Sequence, residues 1–524
     1  MRKPKVLMVI LPYLVKDINI NMSKTRSFLA FPYGVLSIVK YCETIGWFRI
    51  LDLNLYSSPE EKLYNTVKEF EPDVVGFSMM FDNSYYWLNS LSTLVNDYNY
   101  WSDHDLIQVL GGAAASYGLD EILREQEYID GICFGEGEIP FFSLLVNLSN
   151  GKQSMFNQQS WISKWKSRTT PIATFIKDLD DVIDLDYSYV NINDYSMDQA
   201  FSPFVVRKDK VKQFFLVTSR GCPFNCVFCN NSAIHGKKVR TASVDKIVDH
   251  VERLVNLGME VLTIYDDQLL MDVDRAKELF RRLERFHLRI ECPNGLSIAY
   301  IDAELAYLMR RAGMDTAYLA IESGSDRVLK EVIHKPLKLS QVAPAVQILR
   351  ENNFYIHGFF VIGCPGETKE DRDETREFVK SIGLDWAGFN AATPVRGSKL
   401  YEICKENNYI PTQKISEIVD KKYIIRTPDW EPEDIEEEIY LMNLDCNFVN
   451  NYRMKVGDWS TAAKAFRDVI KRYGNHAFAF YYLGECYRHM GDEETALYLK
   501  QKFNYLCKQD LRWMEYAKYF GLVD

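Results

Sequence analysis

The sequence predicts an α/β protein: two successive regions of strands and helices, then an α-helical tail. Three observations carry this expectation. Short apolar segments alternate with amphipathic helical segments over residues 1–150, and the same alternation returns over 211–400. Residues 151–210 break the rhythm and read as a linker that packs between the two regions. From 401 to 524 the apolar spacing turns helical, and "GDWSTAAKAF" at Gly457 is echoed 34 residues later by "GDEETALYLK" at Gly491.

In the first region the strands are KVLMVI (5–10), FRILDLN (48–54), DVVGFSMM (73–80), LIQVLGG (106–112) and IDGICFGEGE (129–138), with helices such as PYGVLSIVKYCETIG (32–46) between them. This pattern makes a doubly wound parallel sheet, whose ligands sit at the carboxyl ends of the strands. Small residues collect there: Gly76 and Ser78, Gly111 and Gly112, and the run Gly135-Glu136-Gly137. Any one glycine can simply end a strand. Three sets at successive strand ends suggest a bulky ligand lying close to backbone. A dinucleotide-binding domain would want G-x-G-x-x-G after the first strand, and LPYLVKD offers no glycine.

The second region carries FFLVTS (214–219), VLTIYDD (261–267), RIECPNG (289–295), TAYLAIES (316–323), YIHGFFVIG (355–363) and WAGFNAATP (386–394). Six strand–helix units predict a partial (β/α)6 barrel, with chemistry at the C-terminal strand ends. In the tail, small and aromatic residues recur at helical spacing, as in NHAFAFYYLGECYRHMG. That pattern resembles tetratricopeptide repeats; a plain helical cap on the barrel is the other reading.

Composition narrows the function classes. The chain has 524 residues and a net charge of -11, a poor balance for binding nucleic acid or anionic membranes. No apolar run approaches the roughly 18 residues of a membrane span. The N-terminal run is broken by Pro12 and reads as a strand, not a signal peptide. Eleven cysteines without a secretion signal point to the reducing cytoplasm, where clustered thiols bind metal or catalyse.

Such a cluster stands in SRGCPFNCVFCNN, where Cys222, Cys226 and Cys229 have the spacing C-x3-C-x2-C. Three thiolates can hold three irons of a 4Fe-4S cubane and leave the fourth iron open. A zinc site would need a fourth ligand, which His235 could supply. The motif, with Phe228 before its last cysteine, resembles the radical S-adenosylmethionine (SAM) superfamily. The resemblance implies that the open iron chelates SAM and that SAM is cleaved to a 5′-deoxyadenosyl radical. It also implies SAM contacts at the later strand ends. Asp266 and Asp267 would meet the amino group, unless they cap the next helix; Asn294 would meet the carboxylate. Glu322 and Ser323 would meet the ribose or methionine part, and Gly363 and Pro365 would pass against adenine. Cys364 is a candidate catalytic residue, its alternative being a buried packing thiol.

The first region in turn resembles the cobalamin-binding, Rossmann-like domain fused to one class of these enzymes, on the segments PYGVLSIVKYCETIG, EPDVVGFSMM, VLGG and IDGICFGEGE. The D-x-H-x-x-G motif of other cobalamin domains is missing, and the first histidine in the chain is His104, so the lower face of cobalt is expected to lack a histidine from the first loop. The two resemblances imply methyl transfer to an unactivated carbon or to phosphorus. A non-methylating rearrangement, ring contraction or oxidative cyclisation is the alternative. A methylthiotransferase is disfavoured because no second three-cysteine set is present. The implied partners are a small-molecule or peptide substrate and an electron donor such as flavodoxin or ferredoxin.

Overall fold

The computed structural model describes residues 2–13, 29–102, 106–151, 155–164, 170–195, 211–412 and 423–523. The rest of the loop after the first strand, His104, and the end of the linker lie outside the described residues. The described chain forms two compact units. One takes in residues up to 195, 211–269, 393–412 and 423–425; the other takes in 270–392 and 426–523. The units cut across the expected 211–400 region.

The first unit opens with β1 (Lys5–Ile10), α1 (Tyr33–Cys42), β2 (Trp47–Asp52), α2 (Pro59–Phe70), β3 (Val74–Ser78) and α3 (Tyr85–Ser102). It continues with β4 (Ile107–Gly111), α4 (Ala113–Tyr117), α5 (Leu119–Glu125), β5 (Gly131–Cys133), α6 (Glu138–Ser149) and β6 (Trp161–Ser163). The sheet order is β2-β1-β3-β4-β5-β6, parallel except for β6. Order reverses between β1 and β3, which makes their carboxyl ends the crevice of this fold. β1 reads as an unbroken apolar run because both faces are covered. Leu7 and Val9 enter one core with Leu63, Leu88 and Leu91, while Val6, Met8 and Ile10 enter the other with Val35, Phe141 and Leu144.

β6 was expected to be linker. It is an antiparallel edge strand, too short for a periodic signal, and is held by the buried Trp161, whose indole N–H donates to Pro140 O at 3.1 Å. The described remainder of the linker packs on both regions of this unit. Tyr195 donates to Asp52 Oδ2 at 3.0 Å, and Tyr187 donates to Phe215 O at 2.5 Å.

Phe215 belongs to β7 (Gln213–Leu216), which is followed by β8 (Ser219–Arg220), α7 (Asn231–His235), β9 (Arg240–Thr241), α8 (Val244–Asn256) and β10 (Val261–Ile264). β7 and β10 pair in parallel, and β8 and β9 pair antiparallel. The cysteine segment is the connection closed by that β8–β9 ribbon.

The second unit contains α9 (Val273–Leu283), β11 (Arg289–Glu291), α10 (Ala303–Arg311), β12 (Thr316–Glu322), α11 (Val342–Glu351), β13 (Tyr355–Ile362), α12 (Lys369–Ser381) and β14 (Trp386–Ala391). Strands β12, β13 and β14 form a parallel sheet in that order. The segment after β14 returns to the first unit with α13 (Lys399–Glu406).

The tail adds α14 (Pro432–Leu444), α15 (Tyr452–Lys455), α16 (Trp459–Tyr473), α17 (Ala477–His489), α18 (Glu493–Gln509) and α19 (Leu511–Tyr519). Asp458 and Asp492 cap α16 and α18 through their side chains, and Gly457 and Gly491 precede them at φ 79° and 86°. The 34-residue echo is therefore a repeated left-handed turn and N-cap. Phe466, Phe478 and Tyr482 are buried in the tail's own core. Among the described residues no helix is long and apolar enough to cross a membrane.

Candidate functional site

The three cysteines sit half-buried on the loop between β8 and α7. The loop's shape is set by carboxylates at the end of β10. Asp267 accepts from the Gly221 N–H at 2.9 Å and from the Asn231 amide at 2.8 Å, one on each side of the cysteines. Asp266 is buried and accepts from the Thr218 N–H, the Thr218 hydroxyl and, at 2.9 Å, the Ser219 hydroxyl. These contacts hold the entry to β8. Neither residue caps the next helix, since Asp272 caps α9.

The sulfurs face donors. The Gln268 amide lies 3.3 Å from Cys222 Sγ, and the Asn231 N–H lies 3.5 Å from Cys229 Sγ. Such donors suit thiolates bound to iron. Among the described residues no three His, Cys, Asp or Glu side chains close on a single metal ion. A cubane places each thiolate on a different iron and does not require that. His235 directs Nδ1 to Glu136 Oε1 at 3.0 Å, so one of its nitrogens is committed away from the cysteines.

Glu136 is the centre of a buried ion network joining the β5–α6 turn to the cysteine loop. Arg240 donates to both of its oxygens, at 2.9 and 2.7 Å, and Arg220 lies 3.5 Å away. Arg220 also binds Glu138 at 2.7 Å and Ser37 at 2.8 Å. Burial alone would raise the Glu136 carboxyl; His235, Arg240 and Arg220 outweigh it and hold it at about 2. Glu136 was expected to touch a cofactor. Its oxygens meet Arg240, Arg220, the His235 ring and the Ile176 N–H. The two arginines carry no motif of their own, so sequence reading missed them.

At the crevice of the doubly wound sheet, Ser78 and Gly111 end β3 and β4, and Gly112 follows at φ 110°. A side chain at Gly112 would collide with the Met79 carbonyl, so the two strand-end loops touch backbone to backbone. Gly76 lies in mid-strand, where the Met8 sulfur fills its missing side chain; Gly137 makes room for Ile38, and Gly135 for Ala173. Gly76 thus allows close packing of β3 against its neighbour β1, and Gly137 close packing of α6 against α1. The loop after β3 adds residues the sequence did not single out. Asn83 donates to Tyr13 O, while Asn83 Oδ1 and Ser84 Oγ are buried without a partner. Orphaned polar atoms beside a strand-end crevice fit a cofactor rich in amide groups.

In the second unit, Asn294 stands exposed in the turn after β11. Glu322 ends β12 at φ 73°, a left-handed backbone at a non-glycine residue, after a bulge; Lys335 holds its carboxylate at 3.0 Å. Strain of this kind is retained where a site requires it. Ser323 is fully buried, with Oγ shared between Thr375 Oγ1 and the Ser325 N–H, which braces the loop after β12. Gly363 donates to Glu367 at 2.6 Å, Pro365 is half-buried, and Cys364 is buried with its carbonyl accepting from the Glu367 N–H.

Two titratable groups in this unit went unnoticed. Burial pushes Glu367 up to about 8, and its Oε1 has no partner. His357, inside β13 and tilted against Tyr318 and Phe359, is pushed down by burial to about 3 and has no hydrogen-bond partner on either nitrogen. A lone histidine in the apolar run YIHGFFVIG was the available signal.

A doubly wound sheet in the order β2-β1-β3-β4-β5, joined by buried charges to a three-thiolate loop, defines an α/β enzyme that pairs a cofactor-binding domain with a cluster site. The comparisons with known proteins give the family. The profile of the radical SAM superfamily matches residues 216–379, that of the B12 binding domain 23–145, and that of a tetratricopeptide repeat 478–503. Cytidylyl-2-hydroxyethylphosphonate methyltransferase of Streptomyces wedmorensis is 30% identical over 427 residues, covering 75% of this chain and 78% of that protein. Among solved structures, the cobalamin-dependent SAM radical enzyme OxsB, with aqua-cobalamin and SAM bound, superposes with a TM-score of 0.67 at 12% identity, covering 99% of this chain and 81% of that one. The radical SAM methyltransferase TsrM of Kitasatospora setae, with cobalamin and a [4Fe-4S] cluster bound, gives 0.60 at 15% identity, covering 84% and 89%. At these identities the two structures speak for the fold. The chain belongs to the radical SAM superfamily, in the branch that carries a B12-binding domain.

Proposed function

We propose that the protein is a cobalamin-dependent radical SAM methyltransferase acting on an unactivated carbon or on phosphorus. The observation that carries this reading is the three-cysteine loop with N–H donors aimed at its sulfurs, in a chain whose relative at 30% identity is a methyltransferase. When bound, the cofactors supply the chemistry: cobalamin carries the methyl group, and the cluster with SAM supplies the radical that removes a hydrogen atom. The chain's own residues bind, orient and exclude water.

Cys222, Cys226 and Cys229 hold a 4Fe-4S cluster in this reading, and Asp267 with Asn231 keeps their loop in shape. Ser78, Gly111, Gly112 and Gly135, with Asn83 and Ser84, line the cobalamin crevice. Asn294, Glu322, Gly363 and Pro365 contact SAM. In this reading the functional regions are 1–150 for cobalamin, 151–210 as linker, 211–400 for the radical SAM barrel and 401–524 as the helical tail. The substrate is a small molecule or peptide, electrons come from a flavodoxin- or ferredoxin-type donor, and a reducing cytoplasm suits the thiols.

The test is anaerobic isolation with iron, sulfide and cobalamin. The expected result is about four irons per chain, reductive formation of 5′-deoxyadenosine, and a product heavier by one CH2. Alanine at Cys222, Cys226 or Cys229 is expected to abolish SAM cleavage. A variant lacking all three thiols that still forms 5′-deoxyadenosine would refute the assignment. A product of unchanged carbon count would favour rearrangement or cyclisation over methyl transfer.

A further inference from the structure

Tyr117 comes from the cobalamin-binding domain, yet it stands beside the cysteine loop. It ends α4, one connection beyond β4. Residues 396–400 place it. The Asn230 amide donates to Arg396 O at 3.2 Å, and the Leu400 N–H donates to Val227 O at 2.8 Å, so this segment is tied to the neighbours of Cys226 and Cys229. Gly397, within the same segment, lies so close to the Tyr117 ring that any side chain there would collide with it. Phe134 meets the ring edge-on, with centroids 6.1 Å apart. The Tyr117 hydroxyl is buried and has no hydrogen-bond partner in the protein. A buried hydroxyl left unpaired costs about 1–3 kcal/mol, so a site that keeps one has a partner for it. The negative charge of Cys229 adds to burial in raising the phenol to about 12, which places the two groups in each other's field.

We propose that the Tyr117 hydroxyl donates a hydrogen bond to a sulfur of the bound cluster beside Cys229, so that the cobalamin-binding domain tunes the cluster's reduction potential. The inference rests on the reading of Cys222, Cys226 and Cys229 as cluster ligands. Reduction adds negative charge to the cluster, and a donor to its sulfur stabilises that charge; hydrogen bonds to sulfur are one of the levers on such potentials. Tyr117 acts as a positioning and tuning residue and exchanges no proton. The buried ion network around Glu136 makes the placement firm, because it fastens the same domain to the same loop.

The test is a dye-mediated potentiometric titration of the reconstituted holoenzyme, read by the electron paramagnetic resonance of the reduced cluster, for wild type and Tyr117→Phe. Phenylalanine keeps the ring against Gly397 and removes only the hydroxyl. The expected result is equal iron content and a midpoint lowered by about tenfold in the reduction equilibrium, which is about 59 mV for one electron. An unchanged or raised midpoint at equal iron overturns the inference. So does a variant whose midpoint holds while its cobalamin affinity falls, since the hydroxyl would then serve the other cofactor. A second measurement stands if the variant loses its cluster. Wild type grown on ring-3,5-deuterated tyrosine is expected to show a deuteron coupling to the reduced cluster in electron–nuclear double resonance, and its absence overturns the inference. Wild type that holds no iron at all would instead remove the reading of the cysteines on which the inference depends.

Discussion

Single carboxylates at the strand ends do different work from what their positions in the sequence suggest. Asp266 and Asp267 look equivalent in YDDQLL, yet one is sealed against Thr218 and Ser219 while the other spans the cysteine loop. Alternation along the chain sends them to different neighbours, and only those neighbours tell them apart. Glu367 is the sharper case. In VIGCPGET it reads as part of a turn, and in the structure it is a buried acid at about 8 instead of its ordinary 4.5. Because the folded value is raised, the native state holds a proton that the unfolded chain releases. Stability is then undiminished below about 4.5 and falls as pH rises towards 8, by on the order of a few kcal/mol. Glu367→Gln keeps an acceptor for the Gly363 N–H and cannot ionise. Urea midpoints of variant and wild type are expected to coincide near pH 5, with the variant higher near pH 8. Parallel curves at the two pH values would show that Glu367 does not titrate in the fold.

At the scale of elements, β14 shows why the tail belongs to its unit. The strand runs beside β13 and presents further backbone groups to the segment after α14. Asn447 meets them there: its Oδ1 accepts from the Ala387 N–H and its Nδ2 donates to Ala387 O, each at 2.8 Å. One amide side chain thus continues the ladder where a further strand would have paired. Beside it, Trp386 and Phe448 meet at 5.6 Å, and Phe448 stacks on Phe466 of α16 at 5.4 Å. The tail's aromatic residues are largely spent on packing: Phe466 and Phe478 are fully buried, and Phe480 and Tyr481 pack against the same core. Asn447→Ala leaves two backbone groups of Ala387 buried and unpaired and is expected to cost about 1–3 kcal/mol, seen as a lower urea midpoint for the whole second unit. A midpoint within error of wild type would mean that the tail is independent of the sheet. The turns of the tail were legible because Gly-Asp followed by a helix is a local signal. Asn447 was not, because its partner lies 60 residues away in sequence.

At the scale of the molecule, the cobalamin-binding domain and the cysteine loop share one buried charge network. Glu136 is held near 2, so its contribution is present above about 4.5 and is lost only as pH falls through that low value. Between pH 5 and 8 it adds no slope, in contrast to Glu367. Removing one member should be far costlier than removing a surface pair, because Arg240 would stay buried with its charge uncompensated, while Arg220 would keep only Glu138. Glu136→Ala is expected to lose about 3–5 kcal/mol. Iron and cobalamin content should fall together, measured on the same preparation. Retention of either cofactor at wild-type stoichiometry would show that the two sites are fastened by other contacts.

The sequence by itself determined the strand–helix alternation, the parallel sheet, the barrel strands, the repeat in the tail and the three thiols at a strand end. Each is a periodicity or a spacing within a few residues, set by covalent geometry and by which faces must leave water. The tertiary structure alone decided that Gly76 accommodates Met8, that Glu136 faces Arg220, Arg240 and His235, that Asp266 braces β8, and that the linker supplies an edge strand. It also alone brought Tyr117 to the cysteine loop. Those outcomes depend on residues far apart in the chain, where burial strengthens some charge pairs and leaves a few polar atoms without partners, and no local pattern records which ones will meet.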